Sequence, residues 1–481
     1  MKPTNTAIES RLEFIRSGNA PANGGPASGS AAHGVSVALE PLTAEQDGSG
    51  EQGHGPEALT EAKQAGGAPM LSPEYRPRTT AELGVRRAVI EELAVKTLYL
   101  GGTMSTRELA RQMRVSMNVA DELMGRMRSA QLCQVTGMTA NLPTVVLTDQ
   151  GRKRALELLS QSQYAGAAPV SLESYVATVR KQSVRNLVVR KADVERAFGE
   201  LIIDAKVLGQ IGTGLNSGAS IFVHGPAGVG KTAIAETMSR VLAEDDVWIP
   251  YAVEVDGQMI AVFDPMVHKQ VDTVEAETYD ERWARCQRPS VLVGGELTID
   301  MLDLQFNTTT KFYSGPVQMK ANNGVLILDD FGRQRVRPEE LLNRWVVPLD
   351  RGIDFLTMAG GRKIEIPFEM LVVFSTNLDP ADLVDAAFLR RMQTKIQVST
   401  ATDEQFRLIF RRVATRRGLA VDEGALSDLI GSIRDLQQEL RACQPRDLVN
   451  QVCWAAQYED RRPILDRSSL RAAVDAYFLK A

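Results

Sequence analysis

Gly225-Pro226-Ala227-Gly228-Val229-Gly230-Lys231-Thr232 satisfies the spacing GxxxxGK[ST], and its flanks decide how it is read. Upstream, Ser220-Ile-Phe-Val223 reads as a short buried strand. Downstream, residues 233–242 form an Ala-containing helical stretch. A glycine-rich turn between strand and helix lets successive backbone N–H groups face one centre, and the helix N-terminus adds positive potential. Such a loop cradles the phosphates of a nucleotide. Lys231 would reach the β- and γ-phosphates, and the Thr232 hydroxyl would ligate Mg²⁺.

A second apolar run, Gly324-Val-Leu-Ile-Leu-Asp329-Asp330, ends in two carboxylates 97 residues after Thr232 (329 − 232 = 97). In open α/β sheets ligands bind at the C-terminal ends of the strands, where these carboxylates fall. Asp329 would hold Mg²⁺ through water, and Asp330 would orient or polarise an attacking water. Asp330-Phe331-Gly332 spells a protein-kinase motif, but no kinase catalytic loop accompanies it. A third buried run, Met370-Leu-Val-Val-Phe-Ser-Thr-Asn377, ends in an amide that could hold the same water. A plain strand-terminating turn is the competing reading of Asn377. Residues 352–356 and 362–366 flank Ala-Gly-Gly and read as a hairpin, as do 248–255 and 258–263 around Asp256-Gly257.

Composition sets outer limits. The chain has 481 residues, 44% hydrophobic and 24% charged, which suits two or three soluble folded units. A net charge of −5 argues against a protein acting mainly as a polyanion-binding cation. Four cysteines without CxxC spacing fit a reducing cytosol, so a cytoplasmic location is expected. No apolar run approaches the roughly 20 residues that span a bilayer, so no membrane insertion is expected. Residues 17–69 contain 11 Gly and 5 Pro, too little apolar surface to offset backbone entropy. Residues 1–80 therefore read as a disordered tail, with 8–15 a candidate transient helix or docking peptide.

Residues 82–100 have the apolar spacing of a helix. Ser105 and Glu108 form a capping-box pattern for a second helix, and Ser116 can cap a third. Two β-like runs, 132–135 and 144–147, precede Leu147-Thr-Asp-Gln-Gly-Arg-Lys-Arg-Ala155, which leads into a closing helix. Three helices, a hairpin and a closing helix over 81–160 resemble a winged helix-turn-helix domain. This stretch holds 11 Lys/Arg and 8 Asp/Glu, a net charge of only +3 (11 − 8). Asn118, Arg126 and Arg128 on the third helix are offset by Asp121 and Glu122, which oppose phosphate. A protein-docking role thus ranks above nucleic-acid contact.

Residues 161–183 read as a linker plus a helix. From 184 to 400 strands and helices alternate, with 192–211 read as helical, and 401–481 have only helical periodicity. The expected fold is α/β, a parallel-sheet core followed by a helical lid.

With these motifs in this order, residues 184–481 resemble the AAA+ ATPases. The glycine loop, the Asp329-Asp330 strand and the Thr376-Asn377 strand correspond to Walker A, Walker B and sensor 1. Ala386-Ala-Phe-Leu-Arg390-Arg391 resembles the arginine-finger segment; Arg391 is preferred by its spacing to Met392, with Arg390 left open. Gln444-Pro-Arg446-Asp447 resembles sensor 2. The hairpin before sensor 1, and Ala321-Asn-Asn-Gly324 with Asn323 at the place of the first Gly of A-x-G-G, are similar to the pre-sensor-1 hairpin group. Within it the chain is most similar to bacterial proteins described as predicted ATPases with chaperone activity. The family usually has Glu at the position of Asp330.

The resemblance implies ATP and Mg²⁺ as cofactors. It also implies a homo-oligomeric ring, a hexamer, in which the finger completes the neighbouring copy's site. Hydrolysis would then drive remodelling or assembly of a protein partner whose identity the residues do not give. Two alternatives are a DNA-directed regulator or motor using the winged helix, and an ATP-gated scaffold with little hydrolysis. The GAFTGA-type loop of enhancer-binding activators is absent. Phe312-Tyr313 could grip a substrate on the ring axis, although core packing is the simpler reading.

Overall fold

The computed structural model describes residues 72–139, 142–243, 245–271, 279–383 and 386–478. Residues 8–15 and 17–69 lie outside them. The central sheet contains β1 (Ser220–His224), β2 (Ser290–Val293), β3 (Val325–Leu328), β4 (Leu371–Thr376) and β5 (Thr394–Gln397). Its order is β2-β3-β4-β1-β5, and every neighbouring pair is parallel. Buried on both faces, such strands read as unbroken apolar runs. Their side chains still alternate. Ile221, Val223, Ile327 and Val373 pack with Ile234 and Met238 of helix α1 (Lys231–Leu242). Phe222, Leu326, Leu328, Val372 and Phe374 face the other way, onto Leu341 and Trp345 of α2 (Pro338–Arg351).

The expected helix over 192–211 is broken. Lys191–Phe198 and Ala205–Ser217 are separate helices, and residues 199–204 form the joint. Gly199 favours a stop there, and the β-branched pair Ile202-Ile203 is poorly suited to a helix interior.

The C-terminal region is α3 (Asp403–Arg416), α4 (Glu423–Asp435), α5 (Gln444–Tyr458) and α6 (Arg467–Tyr477). These helices enclose their own core, including Phe406, Phe410, Leu426, Leu448 and Val474. Thr402 opens α3 with a reciprocal cap to Gln405, as the sequence Thr-x-x-Gln dictates.

At the other end, helices Arg87–Gly101, Thr106–Met113 and Met117–Ser129 precede strands Cys133–Thr139 and Leu142–Leu147 and helix Asp149–Gln161. With Met104–Ser105 the strands form a three-stranded antiparallel sheet. The Ser105–Glu108 capping box is present. Ser116 makes no side-chain cap; its hydroxyl donates instead to the Pro77 carbonyl at 2.6 Å. Residues 72–80 thus run over the start of the third helix. There Glu122 accepts from the Thr80 N–H and hydroxyl at 2.8 and 2.7 Å.

Between these regions lies a second sheet, four of whose five strands come from the long stretch between Lys231 and Asp329. Its order is Gln305–Phe306, Tyr313–Ser314, Gln258–Ala261, Ala252–Val255 and Val170–Ser171. Residues 161–183, read as a linker plus a helix, supply helix Leu172–Lys181 and an edge strand paired with Val253 and Glu254. Phe312 packs edge-on against Tyr164, and Tyr313 is buried with its hydroxyl accepting from Ala359 N–H. Tyr313 is thus a core residue, and Phe312 is half-buried against the core of the N-terminal helices.

Arg282, just before strand Trp283–Gln287 of a separate two-stranded sheet, reaches both Leu83 and the residue before this sheet's edge strand, Pro169. Arg282 and Asp280 are 2–3% exposed and paired at 2.7 Å. Nη1 also donates to the carbonyls of Leu83 and Pro169 at 2.8 and 2.9 Å. Replacing one partner strands a buried charge. Arg282→Met is therefore expected to cost about 3–5 kcal/mol in urea unfolding. A loss below about 1 kcal/mol, the range of exposed pairs, would show that Asp280 is reached by water.

Candidate functional site

The glycine loop leaves β1 at His224 and enters α1 at Lys231. Gly225, Gly228 and Gly230 have φ of 148°, 79° and 97°, values that crowd a Cβ. At Gly225 a Cβ would also meet the Val398 carbonyl oxygen at 2.1 Å. Only glycine fits the loop against the strand beneath it.

The Lys231 ammonium is turned back over this loop. It donates to the carbonyls of Gly225 (3.0 Å) and Pro226 (2.8 Å), and to Asn377 Oδ1 (2.5 Å). Burial pushes its pKa down, while the carboxylates of Asp329 and Asp330 pull it back up. All three contacts are of a kind that phosphate oxygens can replace with a better-matched charge.

Asp329 follows β3, and both its oxygens are engaged. Thr232 Oγ1 donates to Oδ2 at 2.8 Å, and Ser375 Oγ donates to Oδ1 at 2.7 Å. Asp330 stands beside it with φ 49°, a left-handed conformation that Asp tolerates better than most residues. Its Oδ1 accepts from Asn377 Nδ2 at 2.8 Å. Asn377 therefore bridges Lys231 and Asp330, one face of its amide to each. The turn is tied to β4 by Phe331 N–H to the Ser375 carbonyl and by Thr376 Oγ1 to the Phe331 carbonyl, both 2.7 Å.

These groups open onto a cleft of about 480 Å³. The loop from Ala227 to Thr232, Asp329, Asp330 and Asn377 form its floor. Residues 200–203 line one side, and Arg412, Arg416, Cys443 and Arg446 of the C-terminal helices line the other. The Cys443 N–H donates to the Gly228 carbonyl at 3.0 Å, so these helices rest directly on the glycine loop. Arg446 is exposed at the cleft, with Nε on Asp447 at 3.0 Å. Arg390 and Arg391 do not line the cleft. Arg390 is exposed, and Arg391 pairs with Asp350 of α2 at 2.9 Å.

The residues present suit ATP with Mg²⁺. A hydroxyl and a carboxylate 2.8 Å apart form an all-oxygen donor set next to a phosphate loop. Mg²⁺ is typically held by one or two carboxylates together with substrate phosphates. Among the described residues no group of three or more His, Cys, Asp or Glu could hold a metal unaided, so this cation would depend on the nucleotide for further ligands. Among the described residues no helix is long and apolar enough to cross a membrane.

Sequence reasoning did not find Ser375, residues 200–203, Arg412, Arg416 or Cys443. For Ser375 a signal existed, a polar residue inside an apolar strand next to the candidate amide. For the others none did, because their position depends on how the C-terminal helices sit on the sheet.

Residues 402–476 match the model of a family described as a domain of unknown function, DUF8689. That range nearly coincides with the four C-terminal helices. No curated protein matches the chain. Among solved structures, the chain is similar to NtrX from Brucella abortus in complex with ADP, at 13% identity and TM-score 0.37, covering 69% of this chain and 68% of that one. It is also similar to the Thermotoga maritima RuvB Holliday junction branch migration motor, at 14% identity and TM-score 0.31, covering 64% and 72%. Domain III of the Thermotoga maritima replication initiation protein DnaA gives 10% identity and TM-score 0.34, covering 60% and 98%. Likenesses this distant leave the function to be argued from the residues themselves.

Proposed function

We propose that this chain is an AAA+ ATPase that binds ATP with Mg²⁺ and hydrolyses it in a homo-oligomeric ring, a hexamer. The observation that carries the reading is the convergence of Lys231, Thr232, Asp329, Asp330 and Asn377 from three separate strands onto one glycine loop. Lys231 and the loop N–H groups would hold the phosphates. Thr232 and Asp329 would hold Mg²⁺, which would neutralise charge developing on the γ-phosphate. Asp330, oriented by Asn377, would accept the proton of the attacking water. Arg446 would reach the nucleotide from the lid. Arg390 or Arg391 would serve the neighbouring copy, which agrees with their lying outside this chain's own cleft.

Winged-helix character for residues 81–160 is part of the same reading, as a protein-docking adaptor and not a DNA reader. Support comes from the third helix. Its start is overlaid by residues 72–80, Glu122 is engaged by Thr80, and Arg126 is paired with Glu122 at 2.9 Å. These charges are already paired within the chain. Coupling of hydrolysis to the remodelling of a protein partner follows as the proposed role.

The test is ATP turnover per subunit across protein concentration, with mass measured by light scattering. Turnover that rises as the ring assembles is expected, because a guanidinium supplied in trans accelerates such reactions by about 10³–10⁵-fold. Full turnover by a monomer would remove the ring. Tight ATP binding without turnover in the assembled form would leave the scaffold reading.

A further inference from the structure

Ser375 lies on β4, two residues before Asn377, and is 1% exposed. Its backbone is fixed twice over: it pairs with Val223 of β1, and its carbonyl accepts the Phe331 N–H at 2.7 Å. The hydroxyl is thus carried on a backbone pinned from both sides. It donates to one oxygen of Asp329 at 2.7 Å, while the other oxygen faces Thr232 at 2.8 Å.

A carboxylate at a strand end can rotate about two side-chain bonds, and Asp329 has a reason to do so. Lys231 is close enough to feel its charge. Turned toward the ammonium, Asp329 would pair with the lysine and lose its aim at Thr232. The Ser375 hydroxyl opposes that rotation by holding Oδ1 on the β4 side. Oδ2 is then left directed at the threonine and the glycine loop.

We infer that Ser375 is a positioning residue, presenting Asp329 through Oδ2 to the divalent cation that arrives with the nucleotide. This rests on the nucleotide reading above. Ser375 itself touches neither phosphate nor cation, so its effect is on metal affinity through Asp329. Partners that orient a metal-binding carboxylate in this way typically alter metal affinity or activity by about 10–100-fold.

The experiment compares the full-length wild type with Ser375→Ala and Ser375→Thr. Affinity for a fluorescent ADP analogue is measured in EDTA, and Mn²⁺ affinity of the nucleotide complex by electron paramagnetic resonance. In Ser375→Ala the metal-free ADP affinity is expected to stay at the wild-type value, while the Mn²⁺ dissociation constant rises about 10–100-fold. Ser375→Thr, which retains a hydroxyl, is expected to recover Mn²⁺ affinity. Wild-type Mn²⁺ affinity in Ser375→Ala overturns the inference. So does an equal loss of ADP affinity without metal, which marks a merely structural hydroxyl. Should the wild type itself fail to bind the ADP analogue, the nucleotide reading falls first and takes this inference with it.

Discussion

Lys231→Ala is expected to abolish ATP binding in any practical concentration range while leaving the fold intact. The ammonium is seated over the glycine loop, held there by three oxygen acceptors. With nucleotide bound the ammonium would pair with phosphate, and removing one partner of a buried charged pair costs about 3–5 kcal/mol. At 1.4 kcal/mol per decade that is about 10²–10⁴ in dissociation constant. The truncation leaves two carbonyls and one amide oxygen without this donor, but the loop faces an open cleft and water can replace it. Thermal unfolding should therefore stay near the wild-type midpoint. Calorimetric titration with ATP checks the claim; unchanged affinity in a folded variant would remove the phosphate-loop assignment.

Asp330→Asn should separate binding from chemistry. The residue has φ 49°, and asparagine is among the few side chains that accept this conformation readily. The replacing amide can still accept the Asn377 hydrogen bond through its oxygen. Geometry is therefore kept, and what is lost is the ability to take a proton from water. Positioned general bases contribute about 10²–10⁴-fold. ATP turnover should fall by that factor, while affinity for ATP stays close to wild type. Normal turnover would mean that another group orients the water. Asp is one methylene shorter than the Glu usual in the ATPases that the sequence resembles, but the left-handed backbone at Asp330 and the Asn377 bridge give its carboxylate a fixed place beside Asp329.

What the sequence made legible is local. The glycine loop, the carboxylate pair and Asn377 all sit where an apolar strand stops, and a strand with its turn is read from adjacent residues. Asn323, at the place of the first Gly of the A-x-G-G pattern, shows how a departure from a resembled motif explains itself. Its φ is 65°, so the position needs glycine or a residue such as asparagine, and its side chain also donates to the Val179 carbonyl at 2.7 Å. Non-local arrangements were not legible. The break at residues 199–204 is masked by helical spacing on both sides, although it brings Glu200, Leu201, Ile202 and Ile203 to the cleft. Ser116 has the right type for a cap, but Pro77 takes its hydroxyl. The edge strand at Val170–Ser171 exists only because Val253 and Glu254 are folded beside it.

The Arg282–Asp280 joint has a mechanical consequence. Arg282 links the Leu83 carbonyl to the Pro169 carbonyl at the edge of the second sheet through a pair only 2–3% exposed, and Ala252 and Met259 of that sheet share a core with the N-terminal helices. A swivel needs wet, weak contacts, and this joint is a buried ion pair with two further hydrogen bonds. Any displacement of this sheet would then carry the N-terminal helices with it as one piece, like a crank fixed to its shaft.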